Sequence, residues 1–391
     1  MPPSTTTTTT HPRTNWKIPP VFYVGGEYIR DKDGTHMSGQ MCVRYYGPAA
    51  AAAAAAADDN TQKDRPAVIF LHGAAQTGTH FEVTPDGRPG LALLQAQAQA
   101  QGKGGWDCYV VDLVGVGRSR YHCGDMGALK HYTAEELQVA FTAPDPQSWP
   151  TAKLHTQWPG RGVMGDPIFD AFYASQVGHV PEYKVMEKLV RRAARPLLAR
   201  TGPAYLVTHS QSGPLGWHIA DACPDLVWGI VALEPHGPPF ECPDVAPFNR
   251  RPAMVGTLLH PFGITSTPMR FSPELDADAT QLPYLRQTDL EAPTHETLAR
   301  GCRQTRPPRQ LVNLASIPVL LLTAEASYHA SYDHLTADFL RDAGVPVDHV
   351  YLADQGIRGN GHLMAIEENN QEIQEFINRW LMKTEEARSR S

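Results

Sequence analysis

One stretch decides the fold of this chain: Ala204-Tyr-Leu-Val-Thr-His-Ser210-Gln-Ser-Gly213, followed at once by Pro214-Leu-Gly-Trp-His-Ile-Ala. The short apolar run before Thr208 predicts a buried strand, and the residues from Leu215 onward predict a helix. Small residues lie two positions before and two positions after Ser210. This pattern is typical of a sharp strand-to-helix turn that presents one serine at its tip.

The turn departs from its usual spelling, G-x-S-x-G, because Thr208 and Ser212 stand where the two glycines would be. On the turn alone, a surface Ser/Thr turn without chemistry stays open as an alternative. The ends of the other predicted strands are needed to choose between the two interpretations.

Composition excludes several classes of protein. At 391 residues the chain can form one α/β domain with insertions or two small domains. The formal net charge of −7 argues against a nucleic-acid binder, which usually carries a basic patch. The sequence contains no run of about 18 apolar residues that would span a membrane. We therefore expect neither nucleic acid nor membrane among its partners.

The cysteines and the N-terminal stretch predict a compartment. The six cysteines are scattered without a CxxC pair, which favours free thiols over a disulfide framework. Met1-Pro-Pro-Ser and the six threonines after it lack the basic and apolar segments of a secretory signal. No Asn-x-Ser/Thr sequon occurs. These features together predict a cytoplasmic protein.

Five further apolar runs predict strands that alternate with helices: 66–71, 106–111, 227–233, 317–323 and 347–352. Because each run is nearly continuous in apolar residues, it predicts a parallel sheet covered by helices on both faces. Before these runs, residues 21–46 predict an antiparallel hairpin that turns at Asp33-Gly34. The fold class is therefore α/β.

The remaining segments predict the domain organisation. We expect a disordered tail at 1–20, a core formed by 21–120 and 201–385, a helical cap at 121–200, and a second loop-rich insertion at about 238–312. Nine alanines at 49–57 predict a variable loop.

Residues able to perform nucleophilic catalysis follow three of the predicted strands. In an open α/β sheet, ligands bind beyond the carboxyl ends of the strands. Those ends carry Ser210, Glu234 and His362, in the order nucleophile, acid, base. Serine needs an adjacent base, and a carboxylate must orient the imidazole. Glu325 is the competing acid and Asp333 a weaker third.

Backbone donors for an oxyanion are expected at two places. One is the N–H of Gln211, which starts the helix after the serine. The other is the N–H of Ala74, or less favourably Ala75, in the loop after His72-Gly73. Taken in isolation, that loop could equally be a tight strand-to-helix turn.

These residues together resemble the α/β-hydrolase superfamily over roughly residues 20–385. More specifically, the chain is similar to a bacterial serine esterase type with a His-Ser-Gln-Ser-Gly turn and a Glu-Pro acid after the following strand. Four motifs carry this resemblance in order: Thr84-Pro-Asp-Gly-Arg88, the turn at His209–Gly213, Glu234-Pro235, and Gly356-Ile-Arg-Gly-Asn-Gly-His362. The resemblance implies a triad of Ser210, Glu234 and His362, and it is the main reason to prefer Glu234 over Glu325.

The chain departs from that esterase type in three ways, one of which is that the type is exported whereas this chain shows no signal. Ala74-Ala75 stands where that type has adjacent cysteines in the oxyanion loop, and the 238–312 insertion is longer than a simple esterase requires.

Two functions remain open. The first is hydrolysis of a small-molecule carboxylic ester or lactone through an acyl-enzyme on Ser210. The second is a secondary-metabolite biosynthetic enzyme that uses the same pocket for cyclisation, condensation or lyase chemistry. A non-catalytic binder is disfavoured because the triad residues are all present. No cofactor is expected, and no catalytic metal is expected from His72, His209, His236 and His362, since their spacing fits no metal motif. A homodimer stays open.

Overall fold

The computed structural model describes residues 21–47, 67–100, 106–244, 254–287 and 297–390. The predicted tail at 1–20 and the alanine run at 49–57 lie outside the described residues.

The described strands are β1 (Val21–Asp31), β2 (Gly34–Tyr46), β3 (Ala67–Leu71), β4 (Asp107–Asp112), β5 (Ala204–His209), β6 (Val227–Leu233), β7 (Phe240–Glu241), β8 (Leu258–His260), β9 (Phe271–Ser272), β10 (Tyr284–Arg286), β11 (Cys302–Gln304), β12 (Gln310–Leu311), β13 (Val319–Thr323) and β14 (Val347–Tyr351). Eight of them form one sheet in the order β1-β2-β4-β3-β5-β6-β13-β14. The pairings from β4 to β14 are parallel, while β1–β2 and β2–β4 are antiparallel. The predicted mostly parallel sheet and its leading hairpin are therefore confirmed.

The sheet is buried on both faces because its central strands alternate between two hydrophobic cores. In β3, Ile69 and Leu71 join one core, and Val68 and Phe70 join the other. Successive side chains of a strand point to opposite faces, so a strand buried on both sides must be apolar at every position. This is why β3 reads as an unbroken apolar run.

The described α-helices are Thr79–Glu82, Leu91–Ala100, Cys123–Met126, Ala134–Leu137, Pro167–Ala174, Tyr183–Thr201, Ser212–Ala222, Asp333–Asp342 and Asn370–Arg390. Residues of Tyr183–Thr201 and Ser212–Ala222 join the first core, and residues of Leu91–Ala100 and Asn370–Arg390 join the second. Helices on both faces of the sheet are as predicted. No helix in the described part of the chain is long and apolar enough to cross a membrane.

The segment at 121–200 packs onto the loop that carries His362. A separate hydrophobic cluster joins Phe169 and Phe172 of this segment to Leu363 and Ile366. The Trp149 indole N–H also donates to the Ala326 carbonyl at 2.8 Å. The segment therefore lies over the carboxyl edge of the sheet, where β13 ends.

The segment at 238–312 contains more strand than its sequence suggested. Three two-stranded pairs form within its described residues: β7–β8, β9–β12 and β10–β11. Each strand has only two or three residues, which is too short for a hydrophobic period to be visible in a Pro-rich stretch.

Candidate active site

Ser210 lies at the tip of the turn between β5 and the helix Ser212–Ala222, with a φ of +53°. A positive φ is uncommon for a residue other than glycine and costs roughly 1–3 kcal/mol. Two of its backbone hydrogen bonds link the residue to the end of β6 and the chain just after it. Its N–H donates to the Leu233 carbonyl at 3.1 Å, and its carbonyl accepts from the His236 N–H at 2.8 Å. The β6 end therefore fixes the strained serine.

The turn tolerates Thr208 and Ser212 because the close contacts fall on other glycines. A Cβ on Gly216 would lie 2.6 Å from Thr208 Cγ2, and one on Gly213 would lie 2.4 Å from Pro235 Cβ. Ser212 has a structural task of its own: its hydroxyl accepts from the His209 N–H at 2.8 Å and donates to the Leu71 carbonyl at 2.6 Å. The hydroxyl thus joins the ends of β3 and β5 beside the nucleophile.

Glu234 and His362 form a buried hydrogen-bonded pair. His362 Nδ1 lies 2.6 Å from Glu234 Oε2, and the two residues are only 3% and 0% exposed. The carboxylate also accepts from the Ala324 N–H at 2.8 Å and from the Ser327 hydroxyl at 2.7 Å. With three donors around it, the carboxylate favours the imidazole tautomer that carries its proton on Nδ1. Nε2 then has a free lone pair.

Burial sets the protonation of this pair. It raises the pKa of Glu234, and the nearby Asp333 adds to the rise, while the hydrogen bonds from Ser327 and Ala324 oppose it. Burial also lowers the pKa of His362 well below its usual value, with a further lowering from His329. The imidazole is therefore neutral near pH 7, which is the state in which it can accept a proton.

The two competing acids are engaged elsewhere. The Glu325 carboxylate lies 2.6 Å from Arg358 Nη1 and accepts from the Gly359 N–H at 2.9 Å. Asp333 Oδ1 lies 2.8 Å from His329 Nδ1, and its other oxygen accepts from the Thr323 hydroxyl at 2.8 Å. Of the three candidate acids, the structure brings Glu234 to His362.

Rings that sequence reasoning missed enclose His362. The imidazole of His329 stacks on the His362 ring with a centroid distance of 4.6 Å and an interplanar angle of 8°. The ring of Phe141 also stacks on it, with a centroid distance of 5.3 Å and an interplanar angle of 25°. The half-buried ring of Tyr328 lies 5.2 Å from the His362 ring, measured between centroids. These residues are separated from His362 by tens to hundreds of positions. The one local signal was the i, i+4 spacing of His329 and Asp333.

Glu367 is a second residue that the sequence did not reveal. Its buried carboxylate accepts from the Gly361 N–H at 3.0 Å and from Asn360 Nδ2 at 2.8 Å. It also lies 2.8 Å from His155 Nε2, in the segment over the sheet edge. Glu367 therefore shapes the loop immediately before His362.

His209, the residue before Ser210, packs beside His362. Its ring is buried and lies 4.7 Å from the His362 ring, while its Nε2 donates to the His362 carbonyl at 2.9 Å. Burial lowers the pKa of His209 to about 4, so it packs as a neutral ring. Its contact with the backbone of His362 steadies the base.

The two expected oxyanion donors belong to segments that adjoin the serine: Gln211 follows it in the chain, and Ala74 follows Gly73. A Cβ on Gly73 would lie 3.3 Å from Ser210 Cβ, so the loop after β3 passes beside the nucleophile. The His72 ring holds this loop, with Nδ1 donating to the Gly73 carbonyl at 2.8 Å and Nε2 accepting from Leu113 at 3.0 Å. Within the described part of the chain, the N–H groups of Ala74 and Gln211 donate no hydrogen bond.

One set of possible metal ligands overlaps the site. The ligand atoms of Glu234, His329 and His362 lie within 4.8 Å of one another. Each is already bonded, however: Glu234 to His362, and His329 to Asp333. A cation there would displace the hydrogen bond that orients the base.

Comparison with known proteins places this geometry in a family. The chain is 40% identical over 362 residues to the probable secreted lipase phiG of Fungal sp. (strain ATCC 74256). The match covers 93% of this chain and 89% of the relative. This chain belongs to the family of that lipase. No family model matches the chain.

One solved structure supports the fold. The chain is similar to a novel bacterial esterase solved at atomic resolution, with 20% identity, a TM-score of 0.57, and coverage of 93% of this chain and 95% of that one. The predicted α/β-hydrolase fold is confirmed.

The expectation of a cytoplasmic protein is wrong. The relative that shares most of its length with this chain is named a secreted lipase, which contradicts it. Scattered free cysteines and the lack of a sequon are compatible with either compartment, so these features of composition do not determine it. All six cysteines are free thiols, as predicted.

Proposed function

We propose that this protein hydrolyses carboxylic esters through an acyl-enzyme on Ser210. The observation that carries the proposal is the buried 2.6 Å hydrogen bond between His362 and Glu234; the ring of His209, the residue before the strained Ser210, lies 4.7 Å from the His362 ring. A neutral imidazole, an orienting carboxylate and a fixed serine are the three parts that nucleophilic acyl transfer requires. The family of a lipase supports the same chemistry.

The first half of the reaction forms the acyl-enzyme. Ser210 Oγ attacks the ester carbonyl as His362 Nε2 takes its proton, and Glu234 stabilises the imidazolium that results. The N–H groups of Ala74 and Gln211 donate to the carbonyl oxygen as it gains negative charge. Collapse of the tetrahedral intermediate expels the alcohol, which takes the proton from His362.

The second half restores the serine. Water enters after the alcohol leaves. His362 removes a proton from this water as the water oxygen attacks the acyl carbon. The same two N–H groups stabilise the second intermediate. Its collapse breaks the bond to Ser210 Oγ, which recovers its proton from His362, and the carboxylic acid departs.

The segment at 121–200 acts in this proposal as a cap over the acyl group. Its Phe141 stacks on His362, and its Trp149 is bonded to the loop after β13. Tyr328 adds a third aromatic ring to the same wall. Apolar rings beside the base favour an apolar acyl chain or a lactone ring as substrate. The secreted relative favours activity outside the cell.

A fluorophosphonate probe tests the covalent step. The wild-type protein should be labelled once, and Ser210→Ala should not be labelled. A series of p-nitrophenyl esters of increasing chain length, run beside simple lactones, then defines the substrate. Absence of labelling in a wild-type protein that hydrolyses esters would overturn the acyl-enzyme.

A further inference from the structure

A cluster of two histidines and one carboxylate lies outside the catalytic machinery, next to the turn of the first hairpin. Asp31 ends β1, His36 lies near the start of β2, and His122 immediately precedes the helix Cys123–Met126. The ligand atoms of these three side chains lie within 4.8 Å of one another. They come from two segments separated by more than eighty residues, so tertiary structure alone assembles them.

The distances suit a cation with short bonds to nitrogen and oxygen. Asp31 Oδ1 lies 3.3 Å from His36 Nε2, and Asp31 Oδ2 lies 3.1 Å from His122 Nε2. Zinc binds such atoms at about 2.0–2.2 Å in a tetrahedral arrangement, which separates neighbouring ligand atoms by roughly 3.3–3.6 Å. Both distances to Asp31 therefore lie within a few tenths of an ångström of that range.

Hydrogen bonds from neighbouring residues also orient the ligand side chains. His122 Nδ1 lies 3.0 Å from Asp125 Oδ1, and the other oxygen of Asp125 accepts from the Ser38 hydroxyl. A carboxylate bonded to the far nitrogen of a histidine is the usual support of a metal-binding imidazole. The Asp31 carboxylate is held in turn by the Asp33 N–H, at 2.8 Å.

His36 Nε2 faces Asp31 without completing a hydrogen bond. This nitrogen is a buried atom that makes no hydrogen bond within the described part of the chain. Buried polar nitrogens are normally satisfied, so an unbonded one aimed at a carboxylate needs an explanation. A cation between the two atoms provides one.

Arg120 opposes the ion. Its Nη2 lies 3.1 Å from His36 Nδ1, and because a guanidinium can only donate, His36 Nδ1 must be the acceptor. When a metal takes Nε2, the ring must carry its proton on Nδ1, and this contact is lost. Arg120 is exposed and can turn into solvent. It is therefore a competitor for the site.

We propose that Asp31, His36 and His122 bind a divalent transition-metal ion of the zinc class, with water completing the coordination. Imidazole and carboxylate donors suit Zn²⁺, whereas Ca²⁺ and Mg²⁺ prefer oxygen ligands alone. The ion ties the turn of the first hairpin to the chain that leads into the 121–200 segment, so its role is structural. None of the histidines weighed above for a catalytic metal takes part.

Binding to chelator-treated protein without an affinity tag tests this site. Calorimetric titration should give one Zn²⁺ per chain, Co²⁺ should give the visible absorption of a low-coordinate site, and Zn²⁺ should raise Tm. His36→Gln and His122→Gln should each weaken binding at least tenfold, and Asp125→Asn by about 10- to 100-fold. Arg120→Ala should tighten it.

Two controls separate this site from its alternatives. His131→Gln, at an exposed histidine outside the cluster, should bind as the wild type does. His329→Gln removes a possible ligand from the Glu234–His329–His362 set. This variant should still bind one Zn²⁺ at the Asp31–His36–His122 site with wild-type affinity. Zinc binding that survives His36→Gln and His122→Gln, or that disappears only in His329→Gln, would overturn the proposal.

Discussion

Replacement of Glu234 by glutamine should remove almost all activity while changing little of the shape of the site. The Glu234 carboxylate accepts from three donors: the Ala324 N–H, the Ser327 hydroxyl and His362 Nδ1–H. An amide has one oxygen fewer, so one of these donors must face an NH₂ group. If His362 turns its Nδ1 into an acceptor, its proton moves to Nε2, and the ring can no longer take a proton from Ser210.

The size of the loss follows from that wrong tautomer. In serine hydrolases the corresponding acid-to-amide change lowers kcat by about 10⁴. A factor of this size corresponds to roughly 5.4 kcal/mol of transition-state stabilisation. We expect Glu234→Gln to lose about 10³- to 10⁴-fold in kcat, with a much smaller change in KM.

The matched control is Glu325→Gln, since this carboxylate contacts Arg358 and the Gly359 N–H rather than the base. It should lose less than about tenfold. Steady-state hydrolysis of a p-nitrophenyl ester gives kcat and KM, and thermal unfolding of each variant checks that it is folded. A loss of several orders of magnitude in Glu325→Gln, with Glu234→Gln nearly active, would refute the assignment of the acid.

Three further outcomes are expected. Gly216→Ala places a methyl group 2.6 Å from Thr208 Cγ2 and should lower the free energy of unfolding in urea by about 1–3 kcal/mol. Adding Thr208→Ala to the same chain should restore most of that free energy. If the double variant recovers none of it, the contact is not the cause. Ser210→Gly relieves a positive φ and should raise the free energy of unfolding by roughly 1 kcal/mol while abolishing hydrolysis. His329→Phe removes a ring that lowers the pKa of His362, so the pKa of His362 should rise. The acid limb of the pH profile of kcat/KM should then move to higher pH. An acid limb that stays in place or moves to lower pH would show that His329 does not act on the base.

The sequence was most informative where one rule governed many neighbouring residues. A strand buried on both faces must be apolar throughout, and this made β3, β5 and β6 visible with nearly their final bounds. Because the ends of β5 and β6 were predicted in this way, Ser210 and Glu234 were predicted to lie at strand ends. The same rule did not predict the two- and three-residue strands between 238 and 312, because these strands form only through pairing between distant segments.

By itself the sequence determined the fold class, the strand-to-helix turn at Ser210 and a short set of candidate acids and bases. These depend on local periodicity and on residue type, which a linear chain records. Only the tertiary structure decided that Glu234 rather than Glu325 meets His362, that His329 and Phe141 stack on the base, and that Asp31, His36 and His122 converge. Such contacts depend on side chains from distant segments packing at one place, and no spacing along the chain encodes that distance.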